Sequence, residues 1–404
     1  MEQLFRTLET ATQQYPDDRE LWYSLGNAIA RFSGKIRGAL NALDRSIAID
    51  SGFAPAYLDA VVLAMALGET GHARRYLAAY LALNPTDVHG DGLRLASHLL
   101  DPRETGARTR GVLDTASADI LIRALDVLAY WPDSAEWTVQ LARPLLAGRR
   151  ATQPIYDKAD FRAFQLAYPL GFRGHLKEAY SVYHGSSDDI KALFSASLVM
   201  MNAAPDGEAA TFFEALKRGR VDHPTGLVLA LPWWSARRDT LSLRSTAERA
   251  EGAIRGPVQG SGGRYARYLG AAARGYLALA KGDTSDALER FLALNPADCM
   301  YPFCPNEALQ TAMLLAQRNR DVEAWKILDD IPNIYNPIAV RWRLERARVA
   351  ERLGRHEDAL RAYAYVAAVW RRADPHLQPE VRVAEAGWLR LSRLANAPAS
   401  GTVP

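Results

Sequence analysis

The sequence predicts an all-α protein, an α-solenoid built from repeated helix-turn-helix pairs. Apolar residues recur with helical periodicity along most of the 404 residues, and no stretch alternates between apolar and polar residues as a strand does. One spacing occurs several times: a glycine, a small residue five positions later, and a bulky residue four positions after that. The small residues Ala39 and Ala73 are 34 residues apart, which is the period of a stacked array of helix pairs.

Composition agrees with a repeat array and excludes several classes of protein. A chain of 404 residues is too long for one ordinary compact core. A repeat array can be this long because each unit packs only on its neighbours and no single core is needed. The 49 basic and 46 acidic residues give a net charge of +3, too small to indicate binding to nucleic acid or to an anionic membrane. No secretory signal and no uninterrupted apolar run of membrane-spanning length are found, so a cytoplasmic protein is expected.

The repeated spacing has a physical interpretation, seen best in the unit with Gly68, Ala73, Leu77 and Pro85. The glycine ends the first helix and permits a tight turn. The small residue allows the second helix to pack closely on the first, the bulky residue fills the space between them, and the proline ends the unit. The other units carry Gly174, Ala179 and Tyr183; Gly282, Ala287 and Phe291; Asn319, Ala324 and Leu328; Gly354, Ala359 and Tyr363; and a variant with Arg238, Asp239 and Leu243.

These motifs resemble the tetratricopeptide (TPR) repeat family. The stretch from Ala54 to Asp87 fits the family pattern best, and the preceding unit has its Trp-x-x-Leu-Gly motif at Trp22, Leu25 and Gly26. The resemblance implies a right-handed α-solenoid of TPR-like helix-turn-helix pairs that binds a protein or peptide on its concave face.

Five segments are predicted along the chain. They are N-terminal TPR repeats at 1–87, degenerate TPR-like repeats at 88–252, a flexible glycine-rich loop at 253–264, C-terminal TPR-like repeats with a capping helix at 265–395, and a disordered tail at 396–404. Within the degenerate segment, HGSSDD at 184–189 is interpreted as the start of a further helix.

A narrower resemblance concerns the stretches LPWWSARRDT and ERLGRHEDALRAYAYVAAVWRRADPHLQPEV. Together with the unit around Gly68, they are similar to the helical-repeat region attached to bacterial serine/threonine protein kinases. Kinase motifs are missing from the sequence, so the resemblance implies a sensory or docking module in a signalling protein. The first 16 residues read as the second helix of a pair, which raised the alternative that the chain is part of a longer protein; a part of a membrane-anchored kinase would lie outside the cytoplasm.

Candidate chemical sites are few. Cys299 and Cys304 form a CxxxxC motif without a second pair, so structural cysteines are expected, with one reversible disulfide or a metal role as the alternatives. Histidines such as His72, His175 and His356 fall at turns and are interpreted as solvated. No zinc-hydrolase motif, serine-nucleophile motif or phosphate-binding loop is found. The sequence therefore predicts no catalytic residue, metal or cofactor, and no enzyme.

The C-terminal repeats are rich in arginine, with nine arginines and four acidic residues between positions 338 and 372. Three interpretations are open: a solvated face with salt bridges, a docking surface for an acidic peptide or a phosphate, and a nucleic-acid surface. The last is disfavoured because no nucleic-acid-binding motif accompanies the arginines. The arginines chosen as candidate partner-binding residues are Arg341, Arg343, Arg348 and Arg352.

In the N-terminal repeats the candidate partner-binding residues are Asn27 and Asp59. The clamp by which some TPR proteins bind a C-terminal carboxylate is excluded, because the corresponding positions are Tyr23, Asn27 and Asp59, and Asp59 would repel a carboxylate. Three functions remain in competition: an adaptor for a protein or peptide, a sensory module of a signalling protein, and an enzyme with an unrecognised site.

Overall fold

The computed structural model describes residues 2–32, 35–101, 106–134, 137–148, 159–183, 213–214, 224–255, 261–299, 305–329 and 338–396. No strand occurs in these ranges. The first helices are α1 (Glu2–Gln14), α2 (Arg19–Phe32), α3 (Ile36–Ile49), α4 (Ala54–Ala66), α5 (Thr70–Ala82), α6 (Val88–Leu99), α7 (Gly106–Thr115), α8 (Ala118–Leu128), α9 (Trp137–Leu146) and α10 (Ala159–Phe172).

The later helices are α11 (Leu176–Tyr183), α12 (Pro224–Ala236), α13 (Thr240–Arg255), α14 (Ser261–Ala280), α15 (Thr284–Leu292), α16 (Pro305–Gln317), α17 (Asp321–Leu328), α18 (Ile338–Arg352), α19 (His356–Val369) and α20 (Gln378–Asn396). Successive helices pack as antiparallel pairs, for example α2 with α3 and α4 with α5. The predicted fold class, all-α with TPR-like helix-turn-helix pairs, is confirmed.

The turns between paired helices have the predicted backbone geometry. Positive φ angles occur at the four turn glycines and at the two substitutes, Asn319 (58°) and Arg238 (55°). In each turn the next residue donates its backbone N–H to the carbonyl five residues back, as Glu69 does to Ala64 and Asp239 does to Trp234. This hydrogen bond satisfies a carbonyl at the end of the first helix and fixes the reversal of the chain.

The residues at the small position of the spacing lie inside the helix pairs. Ala73, Ala179, Ala287, Ala324 and Ala359 are completely buried, and so is Leu243 in the variant unit. At the five alanine positions, the methyl group lets the two helix backbones approach closely. The sequence spacing therefore corresponds to the interior contacts that hold each pair together.

The described chain divides into two compact units that do not follow the order of the sequence. Unit 1 contains residues 1–158, 168–175 and 328–404, and unit 2 contains residues 159–167 and 176–327. Unit 1 thus joins the N-terminal repeats to the C-terminal repeats. The predicted segment boundaries did not anticipate this grouping, because repeat spacing reports only on contacts between neighbours in the sequence.

Within unit 1, α18 and α19 pack against the C-terminal ends of earlier helices. Arg343 of α18 donates to the Ala66 carbonyl at the end of α4. The Tyr365 hydroxyl donates to the Tyr130 carbonyl just after α8 (3.2 Å), and Trp370 Nε1 donates to the Phe172 carbonyl (2.8 Å). The carbonyls at a helix C-terminus lack partners in their own helix and carry partial negative charge, so these donors satisfy them.

A buried arginine, Arg173, connects three segments of the same unit through hydrogen bonds to carbonyl and hydroxyl oxygens. Arg173 is 1% exposed, and its guanidinium donates to the Leu128 carbonyl (2.9 Å), the Ser134 hydroxyl (2.6 Å) and the Val369 carbonyl (3.4 Å). These acceptors belong to the end of α8, the turn after it, and the end of α19. A buried cation is tolerated where several acceptors replace its hydration.

In unit 2, α14 packs against α12, α13 and α15. Trp233 and Trp234 of α12 are 6% and 3% exposed, and the ring of Phe213 lies 5.4 Å from Trp233. Adjacent helix residues point about 100° apart, and both tryptophans are buried because α12 is packed on more than one side. Helices occupy both ends of the segment predicted as a flexible loop at 253–264, since α13 runs to Arg255 and α14 begins at Ser261; residues 256–260 lie outside the described residues.

The ends of the described chain are helical. α1 packs against α2, and α20 packs against α19. The capping helix is therefore present and extends to Asn396, while the predicted tail beyond it and the helix predicted after HGSSDD at 184–189 lie outside the described residues. In the described ranges no helix combines the length and apolar character needed to cross a membrane.

Candidate partner-binding face

Two of the predicted partner-binding residues are in direct contact. Asn27 lies in α2 and Asp59 lies in α4, the first helices of two consecutive pairs, and both side chains are half-buried. The Asn27 amide Nδ2 donates to Asp59 Oδ2 at 3.1 Å. The structure therefore brings together two positions that are 32 residues apart in the sequence.

Tyr23 completes this contact, one helical turn before Asn27 in α2. It lies close enough to Asp59 and Asn27 for both side chains to affect its pKa, and it contributes to the pKa of Asp59. We call these three residues, Tyr23, Asn27 and Asp59, the Asp59 cluster. The exposed Arg31, one turn further along α2, acts on it through its charge alone.

The electrostatics of the Asp59 cluster follow from its partial burial. Burial raises the pKa of Asp59 above its ordinary value, while the donors Asn27 and Tyr23 and the charge of Arg31 oppose this effect. Burial also raises the pKa of Tyr23, and the neighbouring Asp59 charge raises it further. The cluster thus presents a carboxyl group that lacks part of its hydration and a tyrosine that stays protonated.

Aromatic packing holds the α2 side of the cluster in place. The Tyr23 ring meets the Phe53 ring edge to face, with 5.4 Å between centroids. The Arg19 guanidinium lies 4.9 Å from the Phe53 centroid and pairs with the Asp50 carboxylate. Phe53 precedes α4, so these contacts tie the start of α4 to the first turns of α2 and fix the distance across the cluster.

The arginine-rich C-terminal repeats form ion pairs. Arg341 of α18 donates to Glu380 of α20 through Nε (3.2 Å) and a terminal nitrogen (2.6 Å). Arg348 pairs with Glu345 within α18, and Arg390 makes a two-point contact with Glu351 at 2.7 and 2.8 Å. These contacts favour the interpretation of a salt-bridged face over a cationic docking surface.

Arg343 differs from the neighbouring arginines. It was expected on a concave face open to a partner, but it is 2% exposed, so the expectation of an exposed side chain is wrong. Its guanidinium donates to the Ala66 and Ala339 carbonyls and lies 4.4 Å from the Tyr365 ring centroid. Burial lowers the pKa of Arg343. Arg352, the last residue of α18, is exposed.

The structure tests part of the predictions made for the cysteines and histidines. Cys299 is in a disulfide bond, which corresponds to the bridge held as an alternative. The sequence has one other cysteine, Cys304, which lies outside the described residues. His72 and His356 are exposed, as expected for turn positions, and His72 Nδ1 lies 3.2 Å from Glu69.

A second polar cluster, which no sequence pattern predicts, lies in unit 2. Glu307 of α16 is 1% exposed, and its Oε2 accepts a hydrogen bond from the Tyr268 hydroxyl of α14 at 3.0 Å. Its other oxygen, Oε1, is buried without a hydrogen-bond partner. An acidic residue in the first turn of a helix ordinarily faces solvent, so only the packing of α14 against it reveals the burial.

Comparisons with known proteins place the chain in no family. No family model matches it, and no curated protein does. Solved structures that it is similar to include the yeast Tom70 (12% identity, 98% of this chain and 93% of that chain, TM-score 0.32) and the TPR domain of P58(IPK) (15%, 98% and 94%, TM-score 0.21). A third is Naa15/Naa10 bound to HypK-THB (14%, 97% and 72%, TM-score 0.22). Because these TM-scores are below 0.5, the fold assignment depends on the helix pairs described above.

Proposed function

We propose that the protein is a non-enzymatic adaptor that binds a protein or peptide partner on the face formed by α2 and α4. The observation that carries this proposal is the Asp59 cluster, in which polar side chains from two consecutive first helices meet and stay half-exposed. Elsewhere in these helices the buried positions are apolar, as at Leu25, Tyr57 and Val61. Polar groups held in fixed positions beside apolar surface are suited to orienting a bound peptide.

The proposal excludes catalysis at this face because of the chemistry of its groups. A carboxyl, an amide and a phenol hydroxyl can bind and orient a ligand. Tyr23 has a raised pKa, so it is a poor nucleophile at neutral pH, and the Asp59 cluster contains no histidine, cysteine or lysine to activate one. Binding without chemical change is the function that these residues support.

The resemblance to the repeat region of bacterial kinases stays a sequence-based hypothesis. A sensory module and a free adaptor would both use a binding face, so the Asp59 cluster favours neither of them. Whether the partner belongs to a signalling protein therefore depends on identifying it.

The proposal is tested by affinity capture from a lysate of the source organism. The capture is done at low and high salt with the wild-type chain and two matched variants. Asn27→Ala removes the amide that supports Asp59, and Glu323→Ala changes an exposed residue of unit 2 as a control. We expect a stoichiometric partner to be captured by the wild-type chain and by the control, and to be lost or strongly reduced with Asn27→Ala. Equal capture by all three chains, or no stoichiometric partner at either salt, would contradict the proposal.

A further inference from the structure

The donors that Asp59 receives are all neutral. The Asn27 amide donates a hydrogen bond to Asp59, Tyr23 lies near it, and no cation lies within salt-bridge distance of Asp59 in the described part of the chain. A carboxylate offers about four acceptor positions, so these neutral neighbours leave part of its capacity unused. Asp59 therefore differs from Glu345, Glu351 and Glu380 of the same unit, each of which pairs with an arginine.

A partially buried carboxylate without a cation is costly to keep ionised. Burial removes water from Asp59 and raises its pKa, and the exposed Arg31 compensates only from a distance. A cation that contacts Asp59 directly would replace the lost hydration, and the attraction would be stronger here than between fully solvated groups. An incoming carboxylate or phosphate would meet the opposite effect.

The surroundings of Asp59 also suit a long basic side chain. The Asn27 amide nitrogen is used as a donor, and its oxygen is left as a further acceptor beside the Asp59 carboxylate. The Tyr23 ring, held edge to face against Phe53, adds an apolar surface next to these acceptors. Lysine and arginine combine an apolar stem with several N–H donors at the end, so they match both parts.

We propose that the Asp59 cluster is the subsite for a basic side chain, a lysine or arginine, of the bound peptide. This inference rests on the proposed function, since it names the partner chemistry of the same face. It predicts the opposite charge preference to the carboxylate clamp, because the position that would hold a partner's carboxylate is occupied by an acid. Asp59 supplies the charge, Asn27 supplies an acceptor and holds the Asp59 carboxylate, and Tyr23 holds it from the other side.

The test is to immobilise the full chain and select the peptides that bind it from a random displayed library. Three chains are compared: wild type, Asp59→Asn, and the control Asp17→Asn, which changes a 91% exposed acid close to the start of α2. We expect wild type and control to select peptides with lysine or arginine at one fixed position. Peptides selected on Asp59→Asn should lack that preference, and circular dichroism checks that all three chains are folded.

Synthetic peptides then measure the pairing directly. Replacing the fixed lysine by norleucine should weaken binding to the wild-type chain about tenfold or more, and should have little effect on binding to Asp59→Asn. Equal losses in both chains, or selected peptides without a basic position, would overturn the subsite while leaving the adaptor proposal intact. If no peptide is selected on any chain, the binding face and its subsite are both wrong.

A pH titration needs no variant and covers the case in which Asp59→Asn does not fold. Between pH 4 and 7, Asp59 is the group of the cluster that changes charge, since the pKa of Tyr23 is raised above its ordinary value. Affinity for the lysine peptide should therefore fall as the pH decreases through the pKa of Asp59, while affinity for the norleucine peptide should stay constant. Parallel pH profiles for the two peptides would overturn the subsite.

Discussion

Glu307 offers a prediction that tests the packing of unit 2. Its carboxyl is 1% exposed and receives a hydrogen bond from Tyr268, with Tyr265 and Tyr276 of α14 close enough for its charge to raise their pKa values. Burial raises the pKa of Glu307 from 4.5 to about 8. Glu307→Gln keeps the shape and the acceptor oxygen of the protonated acid but removes the titration.

The sign and size of the effect follow from proton linkage. The folded pKa is raised, so the folded state holds this proton more tightly, and the stability that it provides is complete below pH 4.5 and is lost as the pH rises towards about 8. The interval of about 3.5 pH units, at about 1.36 kcal/mol for each unit, gives about 5 kcal/mol as an order of magnitude. For a unit of 150–250 residues, this corresponds to a decrease in Tm of roughly 10–20 °C.

Thermal unfolding followed by circular dichroism between pH 5 and 9.5 measures the difference. The Tm of the wild-type chain should decrease steeply as the pH rises over this range. The Tm of Glu307→Gln should decrease much less, so this variant should be the more stable chain at pH 9. Glu289→Gln, which changes an exposed acid on α15, is the control and should behave as wild type. Parallel curves for wild type and Glu307→Gln would refute the idea that this carboxyl is buried without a counter-charge.

Three further predictions concern backbone turns and the buried arginine. Gly174→Ala should destabilise the chain by several kcal/mol, because φ is +78° and the new methyl group would lie 2.5 Å from a neighbouring Cβ. Gly282→Ala should cost only about 1 kcal/mol, because φ is +83° but the space around the new methyl group is open. Denaturant unfolding measures both changes, and equal losses of stability would contradict the crowding at Gly174. Arg238→Gly should stabilise the chain by up to about 1 kcal/mol in the same assay, because a φ of +55° is unfavourable for arginine and not for glycine. A loss of stability would contradict this prediction. Arg343→Ala should destabilise the chain by about 3 kcal/mol and speed hydrogen exchange near Ala66, and unchanged exchange there would contradict the docking of α18 on α4.

Sequence spacing predicted the helix pairs because it records local constraints. A residue with positive φ, a small residue and a bulky residue are each needed within one pair, so Gly68, Ala73 and Leu77 report on contacts among close neighbours in the chain. Asn319 and Arg238 took the turn conformation in place of glycine, which shows that the position in the pattern matters more than the residue type.

The contacts that join the N-terminal and C-terminal repeats within unit 1 could not be predicted from the same pattern. Arg343 and Ala66 are 277 residues apart, and nothing near either residue indicates that they meet. Arg343 lies one turn from the buried Ala339 and Ala347 on α18, and the carbonyls of Ala66, at the end of α4, and Ala339 make its burial tolerable. A salt-bridged face was among the interpretations of the arginines, but the sequence did not indicate the carbonyl acceptors of Arg343 or the pairing of Arg341 with Glu380 of a different helix.

The candidate face was predicted in part. Asn27 and Asp59 were chosen because of their positions in the first helices, and the structure shows that they are hydrogen-bonded to each other. The role of Tyr23 in holding Asp59, and the half-buried state of the carboxyl, depend on how α2 and α4 pack and needed the structure. Glu307 was missed for a related reason, since its burial depends on tyrosines of a different helix.

Hydrogen–deuterium exchange of the full chain, with and without a captured partner, tests the central claim most directly. If α2 and α4 form the binding face, the partner should slow exchange in residues 19–32 and 54–66 and leave α12–α17 unchanged. Protection confined to unit 2 or to α18–α20, with no change in α2 and α4, would contradict the account.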